Sequence, residues 1–216
     1  MSTRTTTIII LLLILGATVA GLLLWSQLPE EMASPWNIND EVDDYMPKFW
    51  GVFLMPMVSL GLFLLFLVIP NIDPNKANIA AFRASFNLFI VLFVVFMLYV
   101  HGLTLAWNLG YTGFRLSIAL VPAIGLLFVF IGFMLQRAKR NFFIGIRTPW
   151  TLSSDRVWDK THRLGAILFI ASGVLAFFSG LSGGTTAFWM LFVPLLGSVI
   201  FLLVYSYVLY QQETKL

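Results

Sequence analysis

Apolar residues gather into six long runs separated by shorter polar stretches: Ile8 to Trp25, Phe49 to Pro70, Ala84 to Trp107, Leu116 to Leu135, Leu164 to Leu181 and Phe188 to Tyr210. Each run approaches or exceeds the roughly 20 residues that a helix needs to cross a hydrocarbon core about 30 Å thick. A bilayer offers the backbone no water, so a chain that enters it repeatedly does so as helices that satisfy their own N–H and C=O groups. The pattern predicts an all-α, polytopic integral membrane helical bundle with six transmembrane helices. The first run follows Met1 to Thr7 with a single Arg4, and Thr18-Val19-Ala20 is a weak cleavage site for a secretory leader. Because the run continues unbroken to Trp25, it reads as an uncleaved signal anchor.

Composition agrees with a chain whose solvent is lipid. Of 216 residues, 59% are hydrophobic and 11% charged, and the mean hydropathy is +0.91; an ordinary soluble domain is about a quarter charged. Cysteine is absent, which excludes disulfides, thiolate metal sites and thiol nucleophiles. The net charge of +3 points to no nucleic-acid partner; what matters is where the cations fall. Arg4, Lys76, Arg83, Arg137, Lys139, Arg140, Arg147, Arg156, Lys160, Arg163 and Lys215 fall on one side of the six-span arrangement, and only Lys48 and Arg115 on the other. Cytoplasmic loops carry the excess of Lys and Arg. The N and C termini and the loops Asn71 to Arg83 and Gln136 to Arg163 are therefore expected in the cytoplasm.

The segment Ser26 to Lys48 is then expected outside. It carries Glu30, Glu31, Asp40, Glu41, Asp43 and Asp44 against Lys48, and Pro29, Pro35 and Pro47 discourage a long helix. The organisation is read as an N-terminal membrane half, 1–110, with the acidic loop 26–48, and a C-terminal half, 111–216, with the cytoplasmic loop 136–163. Trp25, Trp36, Trp50, Trp107 and Trp150 sit near predicted span ends and are expected to join an aromatic belt. Pro56, Pro122 and Pro194 fall within spans and are expected to kink them.

Candidate chemistry concentrates in QRAKRNFFIGIRTPWTLSSDRVWDKTHR, residues 136–163, where bulky apolar residues mix with seven cations. Such a stretch can be a tether whose Phe142, Phe143, Ile144, Trp150 and Trp158 lie in the membrane interface while its cations meet anionic headgroups. It can equally be a shaped site. Gly145 permits a tight turn, Pro149 stiffens the next, and Ser153 or Ser154 can cap a helix opening with Asp155. On that helix Trp158, Thr161 and His162 share a face, and Asp155 and Asp159 are expected to pair with Arg156, Lys160 or Arg163. His101 is expected to reach interfacial water near the outer end of span three. His101 and His162 are the only histidines and fall on opposite sides, so no metal site and no cofactor are expected. All ten acids fall in loops or tails, whereas ion-coupled carriers place such groups near mid-bilayer. Asn87, Ser59 and Ser85 are assigned to interhelical hydrogen bonds. No phosphate-binding glycine loop, Gly-x-Ser-x-Gly or HExxH is present, so no catalytic residue is assigned.

The stretch Asn141, Phe142, Phe143, Ile144, Gly145, Ile146, Arg147, Thr148, Pro149, Trp150, Thr151, Leu152, continuing through Ser153, Val157, Trp158, Thr161, His162, Arg163 and Gly165, resembles the signature of the SdpI family of bacterial membrane immunity proteins. The first half resembles the domain of unknown function that often precedes it, on Leu28, Pro29, Trp36, Asn37, Asn39, Asp43, Tyr45 and Lys48. It departs from that pattern at Pro35, where histidine is expected, at Asp40 and Asp44, where glycines are expected, and at Pro47, where serine is expected.

The resemblance implies a non-enzymatic protein of the prokaryotic cytoplasmic membrane. Such a protein protects its host from a secreted, membrane-active peptide toxin and, in one arrangement, holds a cytosolic transcriptional repressor at the membrane. Asn141, Gly145, Arg147, Thr148, Pro149, Trp150, Thr151, Trp158, Thr161, His162 and Arg163 are then the candidate partner-binding residues inside, and Trp36, Asn37, Asp43 and Tyr45 the toxin-facing candidates outside. The alternatives are a small-solute or lipid transporter and a membrane-surface enzyme using Arg147, His162 and Asp159.

Overall fold

The computed structural model describes residues 1–214; Lys215, counted above among the cytoplasmic cations, lies outside them. Six helices are long and apolar enough to cross a membrane. They are α1 (Thr3–Leu24, extended by a 3-10 turn at Trp25–Gln27), α2 (Lys48–Ile72), α4 (Arg83–Asn108), α5 (Leu116–Leu135), α7 (Asp155–Ser179) and α8 (Gly184–Thr214), with short helices α3 (Lys76–Ala81) and α6 (Pro149–Ser153) between them. All six expected spans are present, and the polar ends of several are helical too. α7 opens at Asp155, so the expected loop 136–163 ends nine residues early and Trp158, Thr161, His162 and Arg163 stand on a membrane helix.

The helices pack as two trios, α1, α2 and α4, then α5, α7 and α8, joined along α4 and α5. In lipid, helices associate through close packing rather than through escape from water, so small residues mark their seams. On α5 and α7, a side chain at Gly125 would run into the Gly173 carbonyl, and one at Gly173 into that of Gly125. Gly132 lies as close to Ala166, and Gly180 to Pro122. The first trio closes around Ile10, Phe63, Phe86, Ile90 and Val94, and the same buried cluster runs on into Met134, Ile144 and Trp158 of the second. Leu23, Ile200 and Val193 are exposed, as side chains that face acyl chains should be. Pro56, Pro122 and Pro194 lie inside helices as expected, and Pro70 joins them.

Between α1 and α2 the chain forms a hairpin that the sequence reading does not contain. β1 (Glu31–Ala33) pairs antiparallel with β2 (Tyr45–Pro47) in the register Met32↔Met46, and an isolated bridge joins Trp36 to Val42. Its anchor is Asn108 at the end of α4, whose side chain accepts from Ala33 N–H at 2.7 Å and donates to Ala33 O at 3.2 Å. Lys48, expected as an outer-loop cation, is buried and pairs with Glu30 at 2.7 Å. Trp36 and Trp107, both half-buried, meet edge to face at 5.7 Å. Trp25 and Trp50 are exposed at the helix ends.

Hydrogen bonds define the two ends of the bundle. At one, Asn87 donates to Met1 O at 3.1 Å and Ser154 to Glu213 at 2.7 Å, so Met1 and Glu213 both sit at the end that carries the loop 136–148. At the other, Asp40 at the hairpin tip accepts from Ser117 of α5. His101 is not at interfacial water: it is 2% exposed, and neither ring nitrogen has a partner among the described residues. Of the three polar residues expected to bond between helices, Asn87 reaches α1, Ser85 accepts from Arg137, and the Ser59 hydroxyl is buried without a partner among the described residues.

Candidate functional site: a braced loop at one end of the bundle

The loop that leaves α5 closes around Asn141, which is fully buried. Its Oδ1 accepts from the backbone N–H groups of Phe143 at 2.9 Å and Ile144 at 2.6 Å, while its Nδ2 donates to the carbonyls of Lys139 at 2.8 Å and Ile144 at 2.9 Å. Only an amide supplies two acceptor lone pairs and two N–H donors from one short side chain, so neither Asp nor Ser can substitute.

Gly145 then turns with φ of +116°, in the region that side chains disfavour. The space a Cβ would need there is filled by His162 Nε2. That nitrogen accepts from Ile146 N–H at 3.0 Å, and Nδ1 lies 2.9 Å from Trp158 O. Trp158 stacks on the imidazole with ring centroids 3.9 Å apart, and its indole N–H donates to Ala138 O at 2.9 Å. The loop is thus clipped to α7 by two stacked rings from one helical turn.

Beyond Ile146, Thr148 caps α6 in a reciprocal capping box with Thr151, with Pro149 as the first helical residue. Thr151 Oγ1 also donates to Ile146 O at 2.8 Å, and Thr148 Oγ1 lies 3.0 Å from Ser206 of α8. Ser154 caps α7, accepting from Val157 N–H; Ser153 instead bonds back to Pro149 O. Trp150 lies against Tyr207 of α8 at 5.0 Å. Thr161 is fully buried, and its hydroxyl has no partner among the described residues. The expected pairing of Asp155 along its own helix is corrected: Asp155 pairs with Arg140 at 2.8 Å, and Arg140 also donates to Leu152 O. The loop had to fold for that pair to form, so helix spacing alone could not reveal it.

Two residues from the first trio complete the brace, and sequence reasoning missed both. Asp73, at the end of α2, is 2% exposed; one carboxylate oxygen accepts from Phe142 N–H at 2.8 Å and the other from Asn75 N–H at 2.6 Å. Asn78 of α3 donates to Arg140 O at 2.7 Å. The available signal was a lone acid in a cation-rich loop beside a turn-forming Pro-Asn pair.

The braced loop leaves Phe142, Phe143, Arg147 and Pro149 exposed, as well as Gln136, Arg137 and Lys139 at its start, and Arg147 donates to Phe142 O at 2.8 Å. Arg163 is exposed and, with Gln136, Lys139, Asp159 and His162, lines a cleft of about 290 Å³. His162 has both nitrogens committed to backbone groups, so it has no free lone pair or proton for acid–base work on a substrate. No group of three or more His, Cys, Asp or Glu suited to a metal ion occurs among the described residues.

The outer candidates lie on the hairpin at the opposite end, so the structure does not bring the two sets together. Asn37 shapes the tip, accepting from Asn39 and Glu41 N–H; Trp36 lies under it, half-buried; Asp43 and Tyr45 are exposed.

Residues 137–206 match the SdpI/YfhL protein family, and residues 12–60 match a domain of unknown function (DUF1648). The chain is 30% identical over 179 residues to the immunity protein SdpI of Bacillus subtilis (strain 168), covering 80% of this chain and 82% of the relative. No solved structure matches. The braced loop lies within the matched region, and with six helices suited to crossing a membrane the chain belongs to the SdpI/YfhL family as a multi-pass protein of the cell membrane.

Proposed function

We propose that this chain is a membrane immunity protein that gives resistance to a secreted antimicrobial peptide toxin, without catalysis. The observation that carries the reading is its 30% identity, over most of both chains, to a protein named for immunity. The excess of Lys and Arg at the braced-loop end supports an orientation with that loop in the cytoplasm and the acidic hairpin outside. On this reading the hairpin meets the toxin, and the loop offers Phe142, Phe143, Arg147 and Pro149 as a preformed face for a cytosolic partner such as a transcriptional repressor.

The geometry supports a binding role for the loop. Asn141, Thr148, Thr151, Trp158 and His162 are turned inward onto backbone or neighbouring side chains and Gly145 makes the turn that admits His162, so they build the platform and its exposed residues do the contacting. A platform fixed before binding loses little ordering entropy when a partner arrives. A toxin-sensitive bacterium expressing the chain is expected to survive challenge with a Sdp-type killing peptide; death at confirmed membrane abundance contradicts the reading.

A further inference from the structure

At the hairpin end of the bundle lies a cavity of about 360 Å³, near the lower limit of the roughly 300–1,000 Å³ typical of small-ligand sites. The hairpin roofs it with Ser34 to Ile38, and Val100 and Thr104 of α4, Leu120 of α5 and Phe188 of α8 form its walls. It therefore straddles the two helix trios. Asp40, with φ of +65°, latches the roof: its two oxygens accept from Ser117 N–H and Ser117 Oγ–H, each at 2.6 Å. Ser117 Oγ accepts in turn from Gly184 N–H at 2.7 Å, tying hairpin, α5 and α8 at one point.

The lining is mostly apolar, and its polar groups are unequally engaged. Thr104 Oγ1 donates to Val100 O at 3.1 Å, and Asp40 is held by Ser117. The Trp36 indole N–H is buried with no acceptor among the described residues. A buried donor left unpaired is costly, and an acceptor arriving with a ligand would relieve that cost. Around the roof, Glu31, Glu41, Asp43 and Asp44 are exposed.

We propose that this cavity receives an apolar side chain of a cationic peptide arriving from the hairpin side, with a peptide carbonyl accepting the Trp36 N–H. The apolar walls select the side chain, the indole selects the carbonyl, and the carboxylate rim selects the peptide's charge. A lipid acyl chain would use neither the rim nor the donor. The proposal rests on the immunity reading, since the peptide is taken to be the toxin.

The test uses the full chain in nanodiscs and a biotinylated Sdp-type killing peptide, with a photo-crosslinking residue at Ile38, which lines the cavity, or at Tyr111, which is exposed in the α4–α5 turn. Crosslinking is expected from position 38 and not from 111, and salt at about 0.5 M should weaken binding. Trp36→Phe, which keeps a ring and loses the donor, should weaken binding about fivefold. Val100→Phe, which fills the cavity, should weaken it at least about tenfold.

A parent chain that protects cells and binds peptide, with no crosslink at 38 and unchanged affinity in both variants, overturns the cavity and leaves immunity standing. A parent that neither protects nor binds overturns both. A phospholipid retained by native mass spectrometry and not displaced by peptide assigns the cavity to lipid and also overturns the proposal. Should Val100→Phe fail to assemble, Trp36→Phe and the crosslink decide.

Discussion

His162 holds Ile146 from a different part of the chain: its Nε2 accepts the Ile146 backbone N–H at 3.0 Å while Nδ1 faces Trp158 O at 2.9 Å. The two partners fix the tautomer, since a nitrogen that accepts carries no proton and one that faces a carbonyl does. Histidine-selective ¹⁵N NMR, assigned with a His162→Gln variant, should show the proton on Nδ1. A proton on Nε2 would set two donors against each other and contradict the brace.

Asp73 reaches across from α2 to Phe142 N–H at 2.8 Å without an ion-pair partner among the described residues. Asp73→Asn keeps the size and replaces one accepting oxygen with an NH₂ that must face an N–H, at a cost of about 1–3 kcal/mol. Hydrogen exchange should quicken at Phe142 to Ile144 and stay unchanged along the α5–α7 seam. Unaltered exchange in the loop would mean that Asp73 does not hold it.

Gly125 and Gly173 bring the backbones of α5 and α7 into contact. Gly173→Leu must push the helices apart, costing about 2–3 kcal/mol or more, and is expected to lower the thermal midpoint in detergent. Gly197→Ala, at a glycine with nothing within 4 Å of the added carbon, should be neutral or stabilising by up to about 1 kcal/mol. Equal effects of the two would refute seam packing as the cause.

The absence of cysteine gives a clean background for testing orientation. Tyr111→Cys in intact cells should react with an impermeant maleimide, and Arg147→Cys only after permeabilisation. The reverse pattern would invert the proposed topology.

Much of this fold is legible in sequence because lipid makes hydropathy a length measurement: six runs became six helices, and Ser154 and Gly145 take up their cap and turn as local chemistry dictates. Contacts between distant segments are not written in that pattern. Two strands of three residues carry too little alternation to announce a hairpin, and Asn108, which anchors it, is 75 positions from Ala33. Asp155 pairs with Arg140 rather than within its helix, and His101 is enclosed where a membrane surface was expected. Around the site, the Trp158–Thr161–His162 face was readable from helical spacing, while Asp73 and Asn78 became visible only once the loops folded against each other.

The central claim, immunity exercised through a braced loop, is tested most directly by survival under challenge with a Sdp-type killing peptide. Sensitive bacteria would express the parent, Arg147→Ala or His162→Ala at matched membrane abundance. The account predicts that the parent protects, that Arg147→Ala, which removes the exposed bond to Phe142 O and leaves the Asn141, His162 and Asp73 contacts in place, loses most protection while remaining folded, and that His162→Ala loses protection together with loop order. Full protection by both variants, or none by the parent, would contradict it.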